Sequence, residues 1–192
     1  DIKNFSTFHS RTNYYDSETH YHLGRYLRYI KSTTGLNLFP FYNCYSGKYF
    51  SDVELCEKGY VVDIMKSSDI MVANNEFTIS NRGSKLPNKY YTFRARPERL
   101  SIYDEMGVDI VSIANNHAYD YGEDAFLDTL DSLKEYDIPY VGGGKDREEA
   151  ASPYYFIANG YKIAFIGATR AEKYILTPEA TKNSSGVFRA YD

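Results

Sequence analysis

Val108-Asp109-Ile110-Val111-Ser112-Ile113-Ala114-Asn115-Asn116-His117 is the stretch on which the reading of this chain turns. An apolar, β-branched run gives way to two amides and an imidazole. Such a run, bounded by turn-forming residues, reads as a buried strand that ends in a polar cluster. The same pattern occurs upstream, where Asp69-Ile70-Met71-Val72-Ala73 stops at Asn74-Asn75-Glu76. Between the two lies a helix pattern. Pro97 suits a first helical turn, where its missing N–H has no partner to lose, and Glu98 suits the positive end of the helix dipole. Leu100, Ile102, Tyr103 and Met106 are expected on the buried side, and Gly107 closes the helix. Strand, helix, strand implies parallel neighbours whose carboxyl ends open on one sheet edge. In open α/β folds that edge is where ligands bind.

The flanking segments extend this plan. Residues 61–65 carry a helical pattern that ends near Ser67-Ser68, and Asn81-Arg82-Gly83 marks a turn. Residues 122–136 are the clearest helix, with Phe126, Leu127, Leu130 and Leu133 in one apolar stripe. Ile138-Pro139-Tyr140-Val141 reads as a third short strand before Gly142-Gly143-Gly144, and residues 146–151 as a short helix. Residues 154–158 and 162–167 read as strands joined by Asn159-Gly160, a pair that favours the type I′ hairpin turn. Residues 172–192 are expected to be irregular. The fold class is therefore α/β, a mainly parallel sheet with helices on both faces and an added hairpin.

Residues 1–59 differ from the α/β core of residues 60–192, although 1–192 reads as a single domain. They are Tyr-rich and hold three of the four histidines, His9, His20 and His22. One helical stripe stands out there: Leu23, Tyr26, Leu27 and Ile30, with Arg25, Arg28 and Lys31 opposite. The net charge of -4 argues against a nucleic-acid partner, which demands a positive surface. No apolar run reaches the ~18–20 residues that a membrane-crossing helix needs. The 21 tyrosines suit carbohydrate or peptide-like ligands and suit half-buried packing equally. Cys44 and Cys56 either pair in an exported protein or stay free, and they lack metal-finger spacing. The chain begins at Asp1 rather than Met and is expected to be a piece of a longer protein, with any leader or anchor outside it.

A carboxylate, amide oxygens and an imidazole at one sheet edge make a hard-to-borderline metal site. The alternative is turn chemistry alone, because Asn mimics backbone hydrogen bonds in turns. Gly142-Gly143-Gly144 either cradles an anion with its N–H groups or serves as a permissive turn. His20 and His22 lie on one side of an extended segment, as replacement ligands or as surface residues.

Ser112-Ile113-Ala114-Asn115-Asn116-His117-Ala118-Tyr119-Asp120-Tyr121-Gly122 resembles the signature of the bacterial CapA family of poly-γ-glutamate capsule biosynthesis proteins. Asp128-Thr129-Leu130, Ile138 with the glycine turn, and Gly160-Tyr161-Lys162-Ile163-Ala164-Phe165-Ile166-Gly167-Ala168-Thr169 are similar to its continuation. Ala73-Asn74-Asn75-Glu76 resembles its strand-end Asn-x-Glu. The likeness covers residues 60–192.

The resemblance implies a calcineurin-like metallophosphatase fold, of the four-layer α/β/β/α type, incomplete in this chain. It implies that Asn116, Asn74 and Glu76 ligate metal, with Glu76 as the bridging carboxylate. His117 would contact the reacting group and act as general acid, and Asp120 would orient it; a helix cap at Gly122 is the other reading of Asp120. The chemistry would be a two-metal clamp on an in-line displacement, using divalent Mn, Zn or Fe. The implied role is in capsule biosynthesis at the cell surface, extracellular, with poly-γ-glutamate or another anionic polymer as partner and any membrane tether outside this chain. A phosphoesterase acting on a small phosphate ester and a non-catalytic polymer-binding module are the alternatives. A polyanion needs cations or basic groups, and Arg25, Arg28 and Lys31, or Arg94, Arg96 and Arg99, could supply them. The chain departs from the family pattern in having no Gly-Asp, no His-Trp-Gly and no Gly-His-x-x-His. Weak metal binding, no turnover and a partner-swapped homodimer through an exposed sheet edge are therefore expected of it.

Overall fold

The computed structural model describes residues 38–41, 60–170 and 176–190. In chain order the described elements are β1 (Leu38–Phe41), α1 (Tyr60–Lys66), β2 (Ile70–Asn74), β3 (Thr78–Ile79), β4 (Arg94–Ala95), a 3-10 turn (Pro97–Leu100), α2 (Ser101–Met106), β5 (Ile110–Ser112), α3 (Glu123–Glu135), β6 (Tyr140–Val141), β7 (Gly143–Gly144), α4 (Arg147–Ala151), β8 (Tyr154–Ala158), β9 (Tyr161–Phe165) and β10 (Gly186–Val187). The expectations for His9, His20, His22, residues 23–30 with Arg25, Arg28 and Lys31, and the cysteines Cys44 and Cys56 fall outside the described residues.

The central sheet is four-stranded in the order β1-β2-β5-β6. All its pairings are parallel, with Asn74 opposite Ser112 and Val111 opposite Tyr140. Alternation along the strands sends side chains to two cores. Ala73, Val111 and Ile113 face Phe126, Leu130 and Leu133 of α3 together with Tyr103 of α2. Ile70, Ile110 and Val141 face Phe156, Ala158, Ile163 and Phe165 of the β8–β9 hairpin. A hairpin rather than a helix thus covers the second face among the described residues, which corrects the expectation of helices on both faces. The reason lies in composition: both hairpin strands carry apolar residues at every second position, and a sheet face accepts those as readily as a helix stripe.

Most local expectations hold. Gly107 ends α2 at φ 67, the left-handed conformation glycine adopts at low cost. The hairpin turns on Asn159 and Gly160, both at positive φ, as a type I′ turn requires. Asp146 caps α4 by accepting from the Glu149 N–H at 2.9 Å. Two expectations fail. Ile102 is exposed, because Leu100 and Tyr103, three apart, take the buried side and a residue two positions after Leu100 points away from it. The tail is not wholly irregular: β10 pairs antiparallel with β7. Gly142-Gly143-Gly144 is buried, and a Cβ on Gly143 would fall 2.6 Å from Ile113 Cδ1, so that glycine is there for close packing.

Candidate functional site

Parallel pairing of β2 with β5 brings the two polar strand ends side by side. The Asn75 N–H donates to the Ser112 carbonyl at 2.9 Å, which continues the ladder one residue past the sheet. Asn115 then ties the ends together. Its amide nitrogen donates to Asn74 Oδ1 at 3.0 Å and to the Asn75 carbonyl at 2.9 Å, and its Oδ1 accepts from the His117 N–H at 2.9 Å. Asn74 Nδ2 donates to Glu76 Oε2 at 3.0 Å. Asn75 turns inward, where its Oδ1 accepts from the Tyr103 hydroxyl at 2.7 Å and its Nδ2 donates to the Phe77 carbonyl. Burial pushes the Tyr103 hydroxyl above the ordinary tyrosine range. The amides thus do serve turn chemistry, and that chemistry holds Glu76 and His117 at one edge.

His117 is buried, with its Nε2 3.7 Å from Glu76 Oε1. Its Nδ1 lies 2.8 Å from Asp120 Oδ2. An ionised carboxylate only accepts, so Nδ1 carries the proton and Nε2 is left to face Glu76. Asp120 is fully buried. Besides His117 it accepts from the Phe93 N–H at 2.6 Å and pairs with the Lys89 ammonium, while its carbonyl accepts from the Leu86 N–H at 3.0 Å. The Phe93 ring packs against the imidazole, with centroids 4.6 Å apart. The loop of residues 81–93 is thereby fastened over the site.

Four of the five expected residues, Asn74, Glu76, His117 and Asp120, are connected through these contacts. Asn116 has an exposed side chain, and its carbonyl accepts from Lys89 and, at 2.9 Å, from the Thr177 hydroxyl. Arg189 donates to the Thr177 carbonyl at 3.2 Å, so the tail buttresses the site. Lys89, Phe93 and Thr177 carried no sequence signal that joined them to His117, since their contacts are long-range. Of the basic cluster, Arg94 is occupied locally. It donates to the Arg82 and Gly83 carbonyls and lies 3.6 Å over the Tyr121 ring. Arg96 and Arg99 are exposed.

Among the described residues, no three His, Cys, Asp or Glu side chains converge as a metal-binding group. One carboxylate, one imidazole and neighbouring amide oxygens are fewer charged donors than a catalytic two-metal centre uses. The described residues bring together an oriented imidazole and a carboxylate. Among the described residues, no helix is long and apolar enough to cross a membrane.

The sequence model of the family described as bacterial capsule synthesis protein PGA_cap matches residues 54–190, a span that holds every residue of the site. The capsule biosynthesis protein CapA of Bacillus anthracis is 29% identical over 130 residues, covering 66% of this chain and 31% of that protein. The PGA biosynthesis protein CapA of Bacillus subtilis is 29% identical over 133 residues, covering 68% of this chain and 34% of that protein. The chain therefore spans about a third of the length of these curated relatives. It belongs to the bacterial capsule synthesis protein family.

Proposed function

We propose that this member of the capsule-synthesis family works in the production of poly-γ-glutamate, and that Asn74, Glu76, Asn116, His117 and Asp120 form a metallophosphatase-like site. The observation that carries the reading is the orientation of His117. With Nδ1 committed to Asp120 at 2.8 Å, its reactive nitrogen faces the Glu76 carboxylate. An imidazole held in this way can take up a proton at Nε2 and, once protonated there, give it to a leaving oxygen or contact an anionic group. Glu76, Asn74 and Asn116 would hold a divalent Mn, Zn or Fe ion, with further donors from outside the described residues. Such an ion would supply Lewis-acid polarisation.

The proposal extends to a calcineurin-like α/β/β/α fold, a reading supported by a sheet with helices on one face and a hairpin on the other. An extracellular, cell-surface place is the reading that suits the capsule biosynthesis named for the Bacillus anthracis relative. Contact with a polymer is favoured by Tyr90 and Tyr91, 90% and 71% exposed on the fastened loop between Lys89 and Phe93. Exposed aromatic side chains on a rigid loop are a common feature of ligand contacts.

Fluorescence anisotropy with labelled poly-γ-glutamate tests the reading. Binding is expected to require Mn²⁺ and to weaken by ~10-fold or more in Glu76→Ala. Equal binding without the ion and in the variant would move the function to a polymer-binding module that does not use the site. Hydrolysis of a small phosphate ester that disappears in His117→Ala would favour the phosphoesterase reading.

A further inference from the structure

We infer that Lys89 is a positioning residue of this site, its ammonium bridging the Asp120 carboxylate and the Asn116 carbonyl so that Asp120 stays fixed as the acceptor for His117. The inference rests on His117 as the working side chain, and on three observations.

Asp120 is 0% exposed, and a buried carboxylate without counter-charge is strongly disfavoured. The His117 Nδ1–H and the Phe93 N–H supply dipoles; Lys89, whose side chain is 10% exposed, brings a full positive charge.

The second observation is how Lys89 comes to point inward. Asn88 precedes it at φ 61, a left-handed conformation that Asn tolerates. Tyr90 follows it and is almost fully exposed. The chain thus turns the one residue of this trio that can neutralise Asp120 toward the site.

The third is that an ammonium has several donors, and here two are used on the one turn that carries His117. One reaches Asp120 and the other the carbonyl of Asn116, the residue immediately before His117. Lys89 therefore fixes both the acceptor of the imidazole and the backbone that carries it. The loop that brings Lys89 also brings the Phe93 ring against the imidazole. Removal of the ammonium frees Asp120 to turn toward water, and the Nδ1–H loses its fixed partner.

Nitrogen-15 NMR of the histidine rings at a fixed, near-neutral pH reads this directly. In the wild type, His117 is expected to show one tautomer with a protected, downfield Nδ1 proton. In Lys89→Met that protection is expected to vanish, both tautomers to become populated, and amide exchange at Leu86 and Phe93 to accelerate by ~10-fold or more. Lys89→Arg, which keeps the charge, is expected to restore the Nδ1 proton. A folded Lys89→Met protein with the wild-type ring spectrum overturns the proposal. If that variant does not fold, the wild type decides. Slowly exchanging Lys89 ammonium protons coupled to the Asp120 carboxylate carbon support the proposal, and a freely exchanging ammonium overturns it. Neither metal nor polymer enters the measurement, so its failure is separate from failure of the functional reading.

Discussion

His117 and Asp120 sit three residues apart on the loop after β5, with Nδ1 of the one 2.8 Å from Oδ2 of the other. The short spacing places the imidazole and its acceptor on a single turn, closed by the Asp120 N–H donating to the His117 carbonyl at 3.2 Å. The acceptor is completely buried, so the pair belongs to the interior as much as to the site. Changes at Asp120 must therefore register in stability as well as in chemistry.

Asp120→Ala removes the acceptor shared by His117, Phe93 and Lys89 and leaves the Lys89 ammonium without its partner carboxylate. Breaking a buried pair from one side costs ~3–5 kcal/mol. Urea unfolding should show a loss of that order. A loss under ~1 kcal/mol is what an exposed pair would give, and it would contradict the buried arrangement.

Tyr103→Phe removes the hydroxyl that donates to Asn75 Oδ1 at 2.7 Å, and should cost ~1 kcal/mol or somewhat more because the acceptor is buried. The wild type should also lose stability in alkali. Burial raises the folded-state pKa of Tyr103 above its unfolded value, so its contribution is complete below ~10 and is lost as pH rises past that point. Denaturation midpoints of wild type and variant compared between neutral and strongly alkaline pH should show a steeper fall for the wild type. Parallel curves would contradict a neutral, buried hydroxyl.

Asp128 titrates at the opposite end of the scale. The Arg82 guanidinium, hydrogen-bonded to it, holds its carboxyl below the usual range, against a smaller opposing effect of burial and with help from Ser80. A depressed folded pKa gives stability that is present above the unfolded value near ~4 and is lost as pH falls through the folded value. Asp128→Asn should therefore be less stable than wild type at neutral pH, with the gap closing in strong acid. The effect is modest because the guanidinium is exposed. A gap that persists unchanged in strong acid would assign the effect to packing rather than charge.

Much of the fold was legible because its signals are local. The apolar stripe of α3, the Asn159-Gly160 turn and the two strands ending in amides each follow from a few neighbouring residues. Ile102 was misplaced because it stands two positions after Leu100, a spacing that does not share a helix face. The second sheet face went to the hairpin because alternation in β8 and β9 says that a face is apolar but not what it packs on. Gly186–Val187 escaped notice because a two-residue strand has no periodicity and exists only by pairing with Gly143–Gly144. Within the site, Asn74, Glu76, His117 and Asp120 were legible from their motifs. Lys89 was not, since 31 residues separate it from Asp120 and only the closed loop brings them together.

The central claim is that the strand ends of β2 and β5 form a cation-binding edge beside His117. Calorimetric titration of Mn²⁺ into this chain, and into Glu76→Ala and Asn116→Ala, tests it most directly. The account predicts saturable binding in the wild type that both substitutions weaken by ~10-fold or more while leaving the fold intact. Binding unchanged by the substitutions, or no heat in the wild type, would contradict it.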